Sequence, residues 1–86
     1  MNFILTSRFK KAYKSLPEEA KVRVQETLRT LAVNFRYPSL QAKKIKGAQD
    51  IWEARVSLDC RITLQMVKDY FILRNVGRHD PTLKNP

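Results

Sequence analysis

Ile51-Trp52-Glu53-Ala54-Arg55-Val56-Ser57, Leu58-Asp59 and Cys60-Arg61-Ile62-Thr63-Leu64-Gln65-Met66-Val67 decide the fold. Successive side chains of a strand point to opposite faces. On the first segment Trp52, Ala54 and Val56 share one face, with Glu53 and Arg55 on the other. On the second, Cys60, Ile62, Leu64 and Met66 oppose Arg61, Thr63 and Gln65. Two alternating runs around the short break Leu58-Asp59 predict a β-hairpin with one apolar face. Lys68-Asp69 predicts another turn, and Tyr70 to Val76 a further strand.

Upstream, Gln41 to Lys46 is basic and extended or looped, and Gly47 to Asp50 is a turn. The period changes before that. Val24, Leu28, Leu31, Ala32 and Phe35 recur at i, i+4, i+7, i+8 and i+11, one face of a helix that Arg36-Tyr37-Pro38-Ser39 closes. Pro17 with Glu18 and Glu19 suits the first turn of that helix. Phe9, Ala12, Tyr13 and Leu16 form the apolar stripe of a preceding helix with Ser7 as its N-cap. Asn2 to Thr6 is a short strand. The order β-α-α-β-β-β predicts an α+β domain, a mainly antiparallel sheet with a helical hairpin on one face. Residues 1–80 form this domain, and 81–86 a loose polar tail with two prolines.

Eighty-six residues leave room for one domain. A hydrophobic fraction of 43 % is too high for a disordered chain. Cys60 is the only cysteine and His79 the only histidine, so intrachain disulfides, cysteine-based zinc clusters and poly-His metal sites are excluded. His79-Asp80 alone cannot fill a metal shell, so no metal or other cofactor is expected. No apolar run approaches the roughly 20 residues of a membrane span. Met1 to Thr6 lacks the basic lead and apolar length of a signal peptide. A cytoplasmic protein without membrane partners is the expectation, and a lone thiol suits a reducing compartment.

Seventeen basic residues against 8 acidic give a net charge of +9, which favours polyanions such as nucleic acid. An acidic protein partner would satisfy the same charge. Lys43, Lys44 and Lys46, with Arg36 upstream, lie in a stretch without Asp or Glu between Glu26 and Asp50. It is either a strip for a nucleic-acid backbone or a solvated loop. Tyr13, Tyr37 and Tyr70 could stack on bases or pack at the rim of the core.

Arg55 and Arg61 flank the Leu58-Asp59 turn and should face each other across the hairpin. Two like charges there favour an anion between them, and arginine grips phosphate in a bidentate fork. Alternatively Glu53, Asp59 or Asp80 neutralises them. His79, after Gly77-Arg78, either exchanges a proton with a substrate or caps the strand end. Beside a phosphodiester it could protonate the leaving 5′-oxygen, with the arginines holding the charge on phosphorus.

Ile45-Lys46-Gly47, Ile51 to Val56, Cys60-Arg61-Ile62-Thr63 and Val76-Gly77-Arg78-His79 resemble, in order and spacing, the core of the RelE/ParE toxin superfamily. The resemblance covers nearly the whole chain and is nearest in style to the RelE, YoeB and YafQ branch. It implies a type II toxin: a ribosome-dependent mRNA endoribonuclease, metal-independent, using the RNA 2′-hydroxyl as nucleophile and held by a cognate antitoxin. Arg61 matches the family's phosphate-stabilising arginine, and His79, 18 residues on, the catalytic histidine of YoeB-like members. Glu53 and Arg55 stand where RelE has strand lysines, Glu53 being the carboxylate that could act as base. Lys43, Lys44, Lys46 and Arg78 would contact RNA. The YoeB-like glutamate maps to Ser39 or Gln41, and the terminal stacking tyrosine to Asp80 or Asn85. The alternatives are a ParE-like protein that poisons gyrase by binding, and a catalytically weak basic RNA-binding relative.

Overall fold

The computed structural model describes residues 2–86. Strand β1 (Asn2–Leu5) leads into helices α1 (Ser7–Lys14) and α2 (Glu18–Val33), then a 3-10 turn (Pro38–Leu40). Strands β2 (Lys43–Lys44), β3 (Trp52–Arg55), β4 (Cys60–Val67) and β5 (Tyr70–Arg78) follow, and helix α3 (His79–Lys84) ends the fold. The five strands form one sheet in the order β1-β5-β4-β3-β2. Only the β1–β5 pairing is parallel among them. The α+β architecture, the β3–β4 hairpin and the helical hairpin follow the expected order.

The helices form where the apolar spacing demands. In α1, Phe9 is buried, and Thr6, not the expected Ser7, caps the helix by accepting the Phe9 amide at 3.1 Å. Thr6 is held there because its hydroxyl also donates to the Leu73 carbonyl at 2.8 Å, tying the cap to β5. Glu18 and Glu19 occupy the first turn of α2, where carboxylates favour the positive end of the helix dipole. Helix α2 stops at Val33, two residues before the expected end. Phe35 still reaches the core from the loop, edge-on to Trp52 at 6.1 Å and to Phe71 at 6.3 Å.

The core lies between the helical hairpin and one sheet face. Phe9, Val24, Leu31 and Leu40 meet Ala54, Ile62, Leu64, Phe71, Leu73 and Val76 there. Each fully buried large side chain stabilises the fold by about 1.5–3 kcal/mol relative to exposure. Trp52, Val56 and Met66 pack against this cluster but are only half-buried.

The opposite face corrects the expectation of an open surface. Glu53 is 8 % exposed and Thr63 fully buried, and the chain end returns to Thr63. The expected loose tail from Pro81 is instead the body of α3 and its extension. Thr82 is buried, the Pro86 carbonyl accepts from Thr63 Oγ1 at 3.1 Å and Arg74 Nε at 3.1 Å, and the Asn85 carbonyl accepts from Asn75 Nδ2 at 3.0 Å. Gly77 permits this close approach: a Cβ there would stand 2.9 Å from Thr82 Oγ1. A register shift between Thr63 and Leu64 leaves Arg74 without an opposite residue. It instead donates to Gln65 Oε1 at 2.9 Å and to the Pro86 carbonyl.

Candidate active site

At the turn end of β3 and β4 the register sets Arg55 directly opposite Arg61, as the alternation predicts. Gly77 lies on the other side of Arg61, and Arg78 opposite Cys60. Beyond that pair the His79 amide donates to the Asp59 carbonyl at 2.7 Å, so α3 begins against the hairpin turn. Arg55, Arg61 and His79 therefore come to one end of the sheet, His79 about 7 Å along the strands from Arg61.

Three acidic residues reach this end, and each engages a different base. Glu53 Oε1 lies 3.6 Å from Arg61 Nε, with both side chains buried. Asp59 Oδ2 accepts from Arg78 Nε at 3.0 Å, an exposed pair worth little. Asp80 Oδ1 lies 2.8 Å from His79 Nδ1. Arg55 has no ion pair or side-chain hydrogen bond among the described residues, so its guanidinium is uncompensated.

Arg61 is less free than the sequence suggests. Its Nη1 donates to the carbonyls of Ser57 at 2.7 Å, Cys60 at 3.1 Å and Leu58 at 3.2 Å. With Nε facing Glu53, only Nη2 lacks a partner among the described residues. Arg61 thus stitches the hairpin turn and can offer an anion one nitrogen, whereas Arg55 can offer its whole fork. Glu53, the expected base, is placed as a buried partner for Arg61. That geometry suits positioning and is poor for taking a proton from a ligand.

His79 has an oriented, accessible ring. An ionised carboxylate only accepts hydrogen bonds, so the contact with Asp80 puts a proton on Nδ1 and leaves Nε2 to exchange one. The imidazole is 42 % exposed, within reach of a ligand. The hydrogen bond from His79, reinforced by its charge, holds the Asp80 carboxyl below its ordinary value of 3.8. Burial pushes the Cys60 thiol up, with the Arg61 charge partly opposing.

Lys43, Lys44 and Lys46 are exposed. Lys43 stands opposite Glu53 at the sheet edge, and Lys44 Nζ lies 5.9 Å over the Trp52 ring. The expected cationic strip is therefore an edge of the sheet, separated from His79 by the width of β3 and β4. Among the described residues no group of three or more His, Cys, Asp and Glu could hold a metal ion. None of their helices is long and apolar enough to cross a membrane.

The residue missed by the sequence argument is Thr82, which is buried against Gly77. Thr82 has no pattern of its own, but His79-Asp80-Pro81 carries a helix-start signal, a carboxylate and a proline in the first turn.

Scans against protein-family models and curated proteins give no match to this sequence. Solved structures do match. A chain of the RelB–RelE antitoxin–toxin complex from Methanococcus jannaschii superposes with a TM-score of 0.70 at 22 % identity, over 96 % of this chain and 99 % of that one. The YoeB/ParE toxin from Agrobacterium tumefaciens gives 0.75 at 12 % identity, over 92 % and 99 %. YafQ from Escherichia coli gives 0.75 at 15 % identity, over 94 % and 96 %. This is the RelE-type toxin fold. At these identities the likeness is one of fold, and the chemistry must be argued from the residues.

Proposed function

We propose that this chain is the toxin of a type II toxin–antitoxin pair, a ribosome-dependent endoribonuclease that cuts mRNA in the cytoplasm. Its fold is shared with proteins crystallised as RelB–RelE and YoeB–YefM complexes, which supports a cognate antitoxin as its partner. The observation that carries the nuclease is the uncompensated Arg55 opposite Arg61, at the sheet end where Asp80 orients His79.

In this reading the scissile phosphate sits between Arg55 and the free Nη2 of Arg61. The RNA 2′-hydroxyl attacks phosphorus and releases its proton to solvent. Charge grows on the non-bridging oxygens, where Arg55 holds it in a bidentate pair. Protonated His79 gives its Nε2 proton to the leaving 5′-oxygen. The products are a 2′,3′-cyclic phosphate and a free 5′-hydroxyl. Apart from the proton released to solvent, the steps use this chain's own side chains and the substrate's hydroxyl. Glu53 acts through Arg61, keeping its guanidinium in register. Lys43, Lys44, Lys46 and exposed Arg78 steer RNA by charge.

The test is mRNA cleavage in a translating extract. Cuts within codons, ending in cyclic phosphate, are expected from the wild-type protein. Intact mRNA with a DNA-damage response on expression would instead favour the ParE-like binding mode, and intact mRNA with no growth effect an inactive RNA-binding relative.

A further inference from the structure

Tyr37 follows the end of α2 and stands between two hollows. One, of about 410 Å³, is walled by Arg29, Val33 and Asn34. The other, of about 170 Å³, is walled by Phe35, Arg36, Gln41 and Trp52. Tyr37 is 52 % exposed. It makes no aromatic, cation–π or side-chain hydrogen-bond contact among the described residues. Its neighbours differ: Phe35 is covered by the Arg36 guanidinium at 5.1 Å, and Trp52 by Lys44 Nζ at 5.9 Å.

We infer that Tyr37 is a stacking platform for one nucleobase of single-stranded RNA, outside the cleavage site. The class of ligand rests on the RNA-directed reading above, but the inference does not require cleavage. An exposed aromatic side chain with cations beside it is how single-stranded nucleic acid is held without regard to sequence. The charge in its stretch of sequence has one sign. Arg29, Arg36, Lys43, Lys44 and Lys46 lie in a stretch with no Asp or Glu. None of the five has an ion-pair partner among the described residues. The smaller hollow accepts a flat ring and is too tight for a helix. The backbone of a bound strand would run along Arg36, Lys44 and Lys43. Trp52 lies three residues from Arg55 on β3, about 10 Å. Trp52 and Arg55 face opposite sides of the sheet, so a strand gripped at Arg55 would pass around the sheet edge to reach Tyr37.

Trp52 is the chain's only tryptophan and lines the smaller hollow, so its fluorescence reports on occupancy. The probe is a 2′-O-methyl oligoadenylate of about eight nucleotides, which cannot be cleaved through the 2′-oxygen. Inorganic polyphosphate is the backbone-only control. Saturable quenching by the oligoadenylate is expected. Tyr37→Ala should weaken it about tenfold, and Tyr37→Phe should restore it. Polyphosphate affinity should be the same in all three proteins. Unchanged oligoadenylate affinity in Tyr37→Ala overturns the inference, as does an equal loss toward polyphosphate. So does a Tyr37-dependent affinity for a polyglutamate peptide and none for the oligoadenylate, which would make the platform a protein-docking point. Tyr37-dependent binding in a protein that cuts no mRNA would leave this inference standing and remove the nuclease. Cleavage without Tyr37-dependent binding would do the reverse.

Discussion

Glu53 Oε1 sits 3.6 Å from Arg61 Nε, and both side chains are nearly shut off from solvent. Removing one partner of such a pair strands a buried charge, which costs more than an exposed ion pair ever contributes. Arg61→Ala should therefore lower the stability by about 3 kcal/mol. It also strips the Ser57 carbonyl of its 2.7 Å donor. Urea denaturation measures this, and a loss below about 1 kcal/mol would mean that the pair is solvated. A consequence is that lost activity in Arg61→Ala mixes catalysis with folding, so Arg55→Ala is the cleaner probe.

Gly77 and Thr82 should behave as a coupled pair. A Cβ at Gly77 would meet Thr82 Oγ1 at 2.9 Å, and Thr82 is 3 % exposed with nowhere to move. Gly77→Ala should cost about 1–3 kcal/mol by lifting α3 from β5. Combining it with Thr82→Ala, which deletes that oxygen, should cost less than the sum of the two single changes. Additive losses in a double-mutant cycle would contradict the close packing of α3.

Cys60 should alkylate slowly. Burial raises its thiol pKa, and the thiolate is the reacting form. In the folded protein the rate with iodoacetamide should keep climbing at pH values where a free thiol has levelled off. Unfolding in urea should abolish the difference. A folded protein that labels as fast as the unfolded one would show that the site is open.

The His79–Asp80 contact should persist well into acid. The Asp80 carboxyl is held below its ordinary 3.8, so its contribution is present above that value and is lost as pH falls through the lower folded pKa. A small step in the His79 ring chemical shifts, tracking protonation of Asp80, should therefore come only below about pH 4. Asp80→Ala should lose that step, keep the fold, and slow cleavage about tenfold by freeing the tautomer that presents Nε2. A cleavage rate unchanged in Asp80→Ala would remove the positioning role.

How much of this was legible in the residues divides along physical lines. Alternation set the β3–β4 hairpin and placed Arg55 opposite Arg61, because a period of two fixes which side chains can meet once the turn is known. The apolar stripes of α1 and α2 set the helical side of the core. The opposite face was misjudged. Glu53 and Thr63 have the polarity of solvent-facing residues, yet both are buried. Their burial is tolerable only because Arg61 and the Pro86 carbonyl satisfy them, partners that no local pattern reveals. Likewise, composition counted three acids near the site, but only the fold assigns each to a base and leaves Arg55 alone.

The most direct measurement is 5′-end mapping of mRNA in a translating extract, with wild type, His79→Ala and Arg55→Ala, all shown folded by circular dichroism. The account predicts cuts within codons by wild type, reduced at least about a hundredfold in each variant, as removal of an acid catalyst or a charge stabiliser does. Cleavage that survives both substitutions, or a folded wild-type protein that leaves mRNA intact, would contradict it.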